Sequence, residues 1–384
     1  MNCKIQVIEK PNTGRILAVS DVHGYVHYLE GALKKVQYSE QDTLVIVGDL
    51  IEKGPESLRA VRYVLELREH NPKVYAVMGN VDCHRLSSFY NDSPEGTADF
   101  FEMLKWTKKV WKRGLFLDML DELGISLEDA PTENPEEMVR IKQQIHEQYA
   151  KELDFLWNLP TVVVIGNFLF VHAGVPTDDL DALEKVNAFS CMKIDAFVKT
   201  YVSFEKNVVV GHWPVCLCRD DIDCMNPIFD RQKHIIAIDG GCALKYGEQM
   251  NVLLIPGQDA DFDDVTYVSY DDYPVITAEK DQEGRAPTIV VRYFDSEVEV
   301  LDGQTPDGKM PQEKLDVVTL RHISSGRNFV VPGMYLYYRG DKVYCNDCSD
   351  ALLEIKQGDR LSVVVETSAG YVVKKNGVLG WYMV

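Results

Sequence analysis

Between positions 21 and 212 six residues of metal-ligand type recur, each close to a glycine. Asp21 and His23 fall in Asp21-Val22-His23-Gly24, Asp49 follows Gly48, Asn80 follows Gly79, His172 precedes Ala173-Gly174, and His212 follows Gly211. Two aspartates, an asparagine and three histidines make a mixed oxygen and nitrogen set. Such a set suits borderline divalent ions such as Mn, Fe, Zn, Ni or Co rather than the all-oxygen cages of Ca or Mg. Six donors exceed one ion's needs. Two neighbouring ions bridged by one carboxylate would use them all, and would clamp the attacking and leaving oxygens of a phosphoryl transfer. Asp21 and His23, two positions apart, point the same way on an extended chain and could hold one ion together. Taken singly, each has a plainer reading as a solvated turn or a hydrogen-bonded core histidine.

The elements that must deliver these residues are short apolar runs ending in small or polar residues: RILAVSDVHG (15–24), TLVIVGDL (43–50), KVYAVMGN (73–80), FLFVHAGV (168–175), NVVVGHWP (207–214) and HIIAIDGG (234–241). Rich in Val, Ile and Leu, they read as strands covered on both faces. Amphipathic stretches at 27–37 and 56–70 separate the first three, giving βαβαβ and a layered α/β sheet. Ligands of open α/β sheets bind beyond the carboxyl ends of the strands, so the polar strand ends should converge. That five strands in order each deliver a ligand-type residue makes the accidental reading of the whole set hard to sustain. Residues 96–158 read as two or three helices inserted between strands as a cap over one sheet edge, with a polar, proline-containing break among them. From about residue 286 short alternating segments separated by turn signals argue a small all-β unit. The expected organisation is a catalytic domain over 1–256, a connecting segment over 257–285 and a β domain over 286–384.

Composition narrows the partners. The chain has 384 residues, 46% hydrophobic and 26% charged, which is ordinary for a soluble globular protein of two domains. No run approaches the roughly 20 apolar residues of a membrane-spanning helix. MNCKIQVIEKPNTGR lacks an apolar segment before a small-residue cleavage site, so a cytoplasmic protein is expected. Sixty acidic against forty basic residues give a net charge of −20, which disfavours extended nucleic-acid binding and points to a substrate that is small or held by cations. The nine irregularly spaced cysteines suit free thiols, Cys345-Asn-Asp-Cys348 included.

The ordered set SDVHG, GDLIEKGP, GNVD, FVHAGV, GHWP and IDGG resembles the calcineurin-like metallophosphoesterases, whose pattern is DxH, GDxxxRG, GNH[DE], H[AG]G and GHx. It is most similar to the bacterial branch containing diadenosine tetraphosphate hydrolases and Ser/Thr protein phosphatases, over roughly residues 14–256. The resemblance implies a four-layer α/β sandwich and a two-metal hydrolytic site. By position, Asp21 and His23 would bind one ion, Asp49 would bridge, and Asn80, His172 and His212 would complete the second, with a metal-activated water near Asp49 as nucleophile.

The sequence departs from that pattern in three places. Glu52 and Lys53 replace an Asp and a phosphate-binding Arg, and Lys keeps the charge but not the bidentate fork; an exposed turn explains Lys53 equally well. Val81 stands where the family commonly has a His that protonates the leaving oxygen, which valine cannot do. His84 and Arg85 just downstream could supply a proton donor and a phosphate contact, although a solvated helix start also accounts for them. GHWP replaces the more usual GHTP and puts Trp213 in the core or at the pocket wall. A site without the acid favours good leaving groups, and family branches lacking this His are often phosphodiesterases. A small nucleotide or phosphodiester substrate is therefore expected, with a phosphoprotein as the alternative. A scaffold that had lost turnover would be expected to lack one or more of the six ligands. The terminal β unit resembles a bacterial SH3-like barrel, and Tyr335, Tyr337 and Tyr338 either bind a peptide or pack its own core.

Overall fold

A computed structural model of the chain describes residues 2–9, 14–127, 134–302 and 316–383. The valine-rich runs form strands whose two faces are both covered. Ile5–Val7 (β1), Ile16–Val19 (β2), Thr43–Val47 (β3), Val74–Val77 (β4), Val162–Ile165 (β5), Phe168–Val171 (β6), Asn207–Val210 (β7), Ile228–Asp230 (β8), Ile235–Ala237 (β9), Met250–Ile255 (β10) and Thr266–Tyr270 (β11) make two sheets. One runs β11-β10-β2-β3-β4 and the other β1-β5-β6-β7-β9-β8. Period-two alternation explains the layering. Ile16, Ala18, Val45 and Val47 share a core with Val163, Ile165, Phe168, Phe170, Val209 and Ile236 of the other sheet. Leu17, Val19, Leu44 and Ile46 turn the opposite way, into a core with the helices.

Those helices are Val26–Lys35 (α1) and Ser57–His70 (α2), which bury Val26, Leu29 and Leu33, and Leu58, Val61 and Val64, at three- and four-residue spacing. Asn80–Phe89 (α3) follows β4 directly. Four more follow: Pro94–Val110 (α4), Leu115–Leu123 (α5), Pro135–Gln148 (α6) and Ala150–Trp157 (α7). Most of the proline-containing break, residues 128–133, lies outside the described residues. Pro94 and Pro135 occupy first turns, where a missing N–H costs nothing, and Ser93 Oγ caps α4 by accepting from Gly96 N at 3.0 Å. Phe100, Phe116, Leu120, Ile145 and Leu153 of these helices belong to the same core as the inner faces of α1 and α2.

The chain divides into two compact units. One is Met1–Val215, Pro227–Leu244 and Gln249–Asp271; the other is Cys216–Asn226, Lys245–Glu248 and Asp272–Val384. Among the described residues the second holds sheets of four, two and five strands with apolar cores of their own. Within it Tyr335 is buried and stacks on Tyr246, ring centroids 4.4 Å apart. It is therefore a core residue and not an exposed peptide contact, because its ring finds a flat apolar partner inside. Tyr337, half-buried, stacks on Tyr344. All nine cysteines are free thiols. No described helix is long and apolar enough to cross a membrane.

Candidate metal centre

The register of the two sheets brings the ligand-type residues together. β2, β3 and β4 are parallel neighbours, and so are β6, β7 and β9. Their carboxyl ends lead into Asp21 and His23, Asp49, Asn80, His172 and His212, as expected of strand ends that share a direction. Asp21 (1% exposed), His23 (0%), Asp49 (2%) and His172 (0%) are buried, and Asn80 is half-buried.

Asp49 stands at the centre. Its Oδ1 lies 3.5 Å from His172 Nε2 and its Oδ2 lies 3.6 Å from His23 Nε2, so its two oxygens face imidazoles arriving from different sheets. His172 Nε2 is also 3.0 Å from Asn80 Oδ1, and the His172 and His212 rings are 5.1 Å apart. His23 Nε2 lies 3.9 Å from Asp21 Oδ1, and Asp21 Oδ2 accepts from the His212 N–H at 2.9 Å. The other ring nitrogens are taken by backbone: His172 Nδ1 is 3.0 Å from Val47 O and His23 Nδ1 is 3.2 Å from Ile51 O. An Nδ1–H donated to a carbonyl sets the tautomer in which the Nε2 lone pair of the neutral ring faces the cluster.

Backbone shape is part of this assembly. Asp21 (φ 51°), His23 (φ 48°), Asp49 (φ 48°) and His212 (φ 68°) all occupy the left-handed region, a cost that non-glycine residues bear mainly at functional sites. The extended alternation expected to align Asp21 with His23 is therefore not what places them. β2 stops at Val19, and the chain then curls so that Asp21 N–H and His23 N–H donate to Gly48 O and Asp49 O. Asn80 is likewise the first residue of α3 rather than the last of a strand. Two glycines are sterically required. A Cβ on Gly48 would fall 2.4 Å from His172 Nδ1, and one on Gly79 would fall 2.1 Å from Asp49 Oδ1.

The electrostatics are those of carboxylates and imidazoles crowded out of water. Burial opposes charge on His172, yet Asp49 overrides it and lifts the ring to about 10. Burial, then Lys53, push His23 down to about 3, and burial, then His172, push His212 down to about 4. Asp21 is raised well above the carboxylate range by burial and then by Asp239. Its Oδ1 is buried without a hydrogen-bond partner. Ligand atoms of Asp21, Asp49 and His172 all lie within 4.8 Å of one another. An orphaned carboxylate oxygen beside imidazole nitrogens held ready by carbonyls fits a borderline divalent ion.

The remaining candidates separate by position. Lys53 reaches the cluster, its Nζ 2.9 Å from His23 Nε2. Arg85 is buried and held by Glu52, Nε to Oε2 3.1 Å, with its guanidinium 6.0 Å from the centroid of the Trp106 ring. Glu52 Oε1 in turn accepts from Leu115 N–H at 2.9 Å. His84 is exposed on α3, and Val81 is half-buried with its N–H donating to Asp49 Oδ1 at 2.9 Å.

Sequence reasoning passed over several groups. Asp82 Oδ1 accepts from Leu50 and Ile51 N–H at 3.1 and 3.2 Å and its Oδ2 from Gly79 N–H at 3.1 Å, which ties the Asp49 loop to the start of α3. The fourth position of GNVD was the available signal. Lys193 Nζ and Asp195 Oδ1 lie 3.1 and 3.2 Å from His212 Nε2, in a loop with no recognisable pattern. Asp239, ending the run that leads to IDGG, is 1% exposed.

A buried, strand-end cluster of carboxylates and imidazoles in a two-sheet α/β sandwich is a candidate divalent-metal centre. The calcineurin-like phosphoesterase family model matches residues 14–227, and the chain belongs to that family. Among curated relatives it is 41% identical over 73 residues to a symmetrical bis(5'-nucleosyl)-tetraphosphatase of Pseudomonas syringae pv. syringae, covering 19% of this chain and 24% of that one. The corresponding protein of Pectobacterium atrosepticum is 42% identical over 72 residues, 18% of this chain and 25% of its own. The chain thus spans about a quarter of the length of the curated relatives it matches. A solved protein serine/threonine phosphatase from Saccharomyces cerevisiae aligns with 71% of this chain and 84% of its own at 13% identity and a TM-score of 0.42, a likeness that carries no argument about function.

Proposed function

We propose that the protein is a dinuclear metal-dependent phosphoesterase acting on phosphodiesters and phosphoanhydrides of nucleotide type. The observation that carries this reading is Asp49, whose two oxygens face His172 on one side and His23 on the other, as a bridging carboxylate must. Asp21 and His23 would hold one ion, and Asn80, His172 and His212 the other, with Mn, Fe, Zn, Ni or Co all suited to the donor set. Bound ions would supply an activated water and neutralise the phosphoryl oxygens.

The chain's own groups do the rest. Val47 O and Ile51 O orient the ring nitrogens of His172 and His23. The Lys53 ammonium stands beside His23, where it can meet an anionic phosphoryl group as a point charge. Arg85, committed to Glu52, supports the walls of the site more than it offers a free fork. Val81 offers no proton to a leaving oxygen, so substrates whose leaving group departs unaided are favoured. The names of the matched bis(5'-nucleosyl)-tetraphosphatases agree with a phosphoanhydride substrate. A scaffold without turnover is disfavoured because all six donors are present. With no described membrane-crossing helix and a charge of −20, the cytoplasm is the proposed location and a small soluble phosphate compound the proposed partner.

Purified protein with Mn²⁺ should hydrolyse bis-(p-nitrophenyl) phosphate and diadenosine tetraphosphate faster than p-nitrophenyl phosphate or a phosphopeptide. Asp49→Asn should remove that activity. Preference for the monoester would overturn the substrate reading, and an undiminished rate in the variant would overturn the bridging role.

A further inference from the structure

The six donors do not exhaust the buried polar groups at this end of the sheets. β6, β7 and β9 are adjacent and parallel, with Phe170 paired to Val209 and Val210 to Ala237. Beyond their ends the ladder continues, Gly211 N–H donating to His172 O at 2.8 Å and Ile238 N–H to Val210 O at 2.9 Å. The residues presented there are His172, His212 and, from the third strand, Asp239. Asp239 is held in place by its backbone, its carbonyl accepting from Val215 N–H at 3.0 Å, and by Oδ1, which accepts from Gly241 N–H at 2.8 Å. Its other oxygen, Oδ2, is buried with no hydrogen-bond partner, like Asp21 Oδ1. A buried carboxylate oxygen left unsatisfied is costly unless a cation compensates it.

We infer that Asp239 is a third carboxylate of the metal centre, its Oδ2 directed toward the bound divalent cations together with Asp21 and Asp49. The inference rests on the dinuclear reading above and adds a residue to it. The plain alternative is that Asp239 only closes the turn at Gly241 through Oδ1. The substitution Asp239→Asn separates the two roles. An amide oxygen can still accept from Gly241 N–H, and the shape is unchanged, but the negative charge is gone.

The test is equilibrium binding of Mn²⁺ to the EDTA-stripped full chain by calorimetry, with thermal unfolding of each protein with and without Mn²⁺. Wild-type protein is expected to bind two Mn²⁺. In Asp239→Asn at least one affinity should fall by about 10–100-fold, the usual range for groups that support metal ligands. The stripped variant should melt no lower than the stripped wild type, since a buried charge has been removed, and its gain on adding Mn²⁺ should shrink. Such a melt also shows that the variant is folded. Wild-type stoichiometry with affinities within about twofold would overturn the role of Asp239 and leave the turn-closing alternative. A wild-type protein that binds no Mn²⁺ would instead overturn the dinuclear reading itself.

Discussion

Val81 is the residue to which the proposed leaving-group preference is assigned. Its N–H already serves the site by donating to Asp49 Oδ1, so a change of side chain need not disturb the carboxylate. General acids are typically worth about 10²–10⁴-fold, and a histidine introduced here should recover part of that for poor leaving groups. We expect Val81→His to raise the rate on phenyl phosphate by about tenfold or more, while the rate on bis-(p-nitrophenyl) phosphate changes little. Equal effects on both substrates would show that the side chain at this position does not govern leaving-group preference. The neighbouring Glu52 bears on the outcome, because it is engaged with Arg85 and does not stand free to orient a new imidazole.

At the scale of elements, that Glu52–Arg85 pair joins the Asp49 loop to α3, and Glu52 further engages the start of α5 through Leu115 N–H. Both side chains are buried, 3% and 9% exposed, so neither charge has water to fall back on. Removing one partner of such a pair costs about 3–5 kcal/mol, whereas replacing both by apolar residues of similar volume is often close to neutral. Glu52→Leu should therefore lower unfolding stability in urea by an amount in that range, and Glu52→Leu with Arg85→Met should regain most of it. Additive losses in the double variant would show that the two charges do not depend on each other. Asp82 makes the same connection by hydrogen bonds alone, through Leu50, Ile51 and Gly79 N–H.

For the molecule as a whole, stability should report the state of the metal centre. In the stripped protein His172 is raised from 6.5 to about 10, because Asp49 outweighs the effect of burial. A histidine raised in the folded state contributes stability that is complete below its unfolded value and is lost as pH rises through its folded value. Thermal stability of EDTA-treated protein should accordingly decline between about pH 6.5 and 10. Metal binding requires neutral imidazoles, so the Mn²⁺-loaded protein should gain relative to the stripped one over the same interval. A difference in melting temperature that narrows with rising pH would contradict this account.

Much of the site was legible in the residues themselves. Asp21, His23, Asp49, Asn80, His172 and His212 stand at the ends of runs whose composition demands burial on both faces, and parallel neighbours necessarily present their carboxyl ends together. What the residues did not disclose was contact across long stretches of chain. Whether Arg85 faces a phosphate or Glu52, whether Tyr335 meets a peptide or Tyr246, and whether the second oxygen of Asp239 finds a hydrogen-bond partner depend on what the rest of the fold brings alongside. The left-handed turns at Asp21, His23 and Asp49 belong to the same class, since no propensity favours them and only the surrounding hydrogen bonds and packing hold them. The sequence determined which donors exist and that strand direction would gather them. Tertiary structure alone decided which charges pair, because burial removes the water that would otherwise leave each of them indifferent to its neighbour.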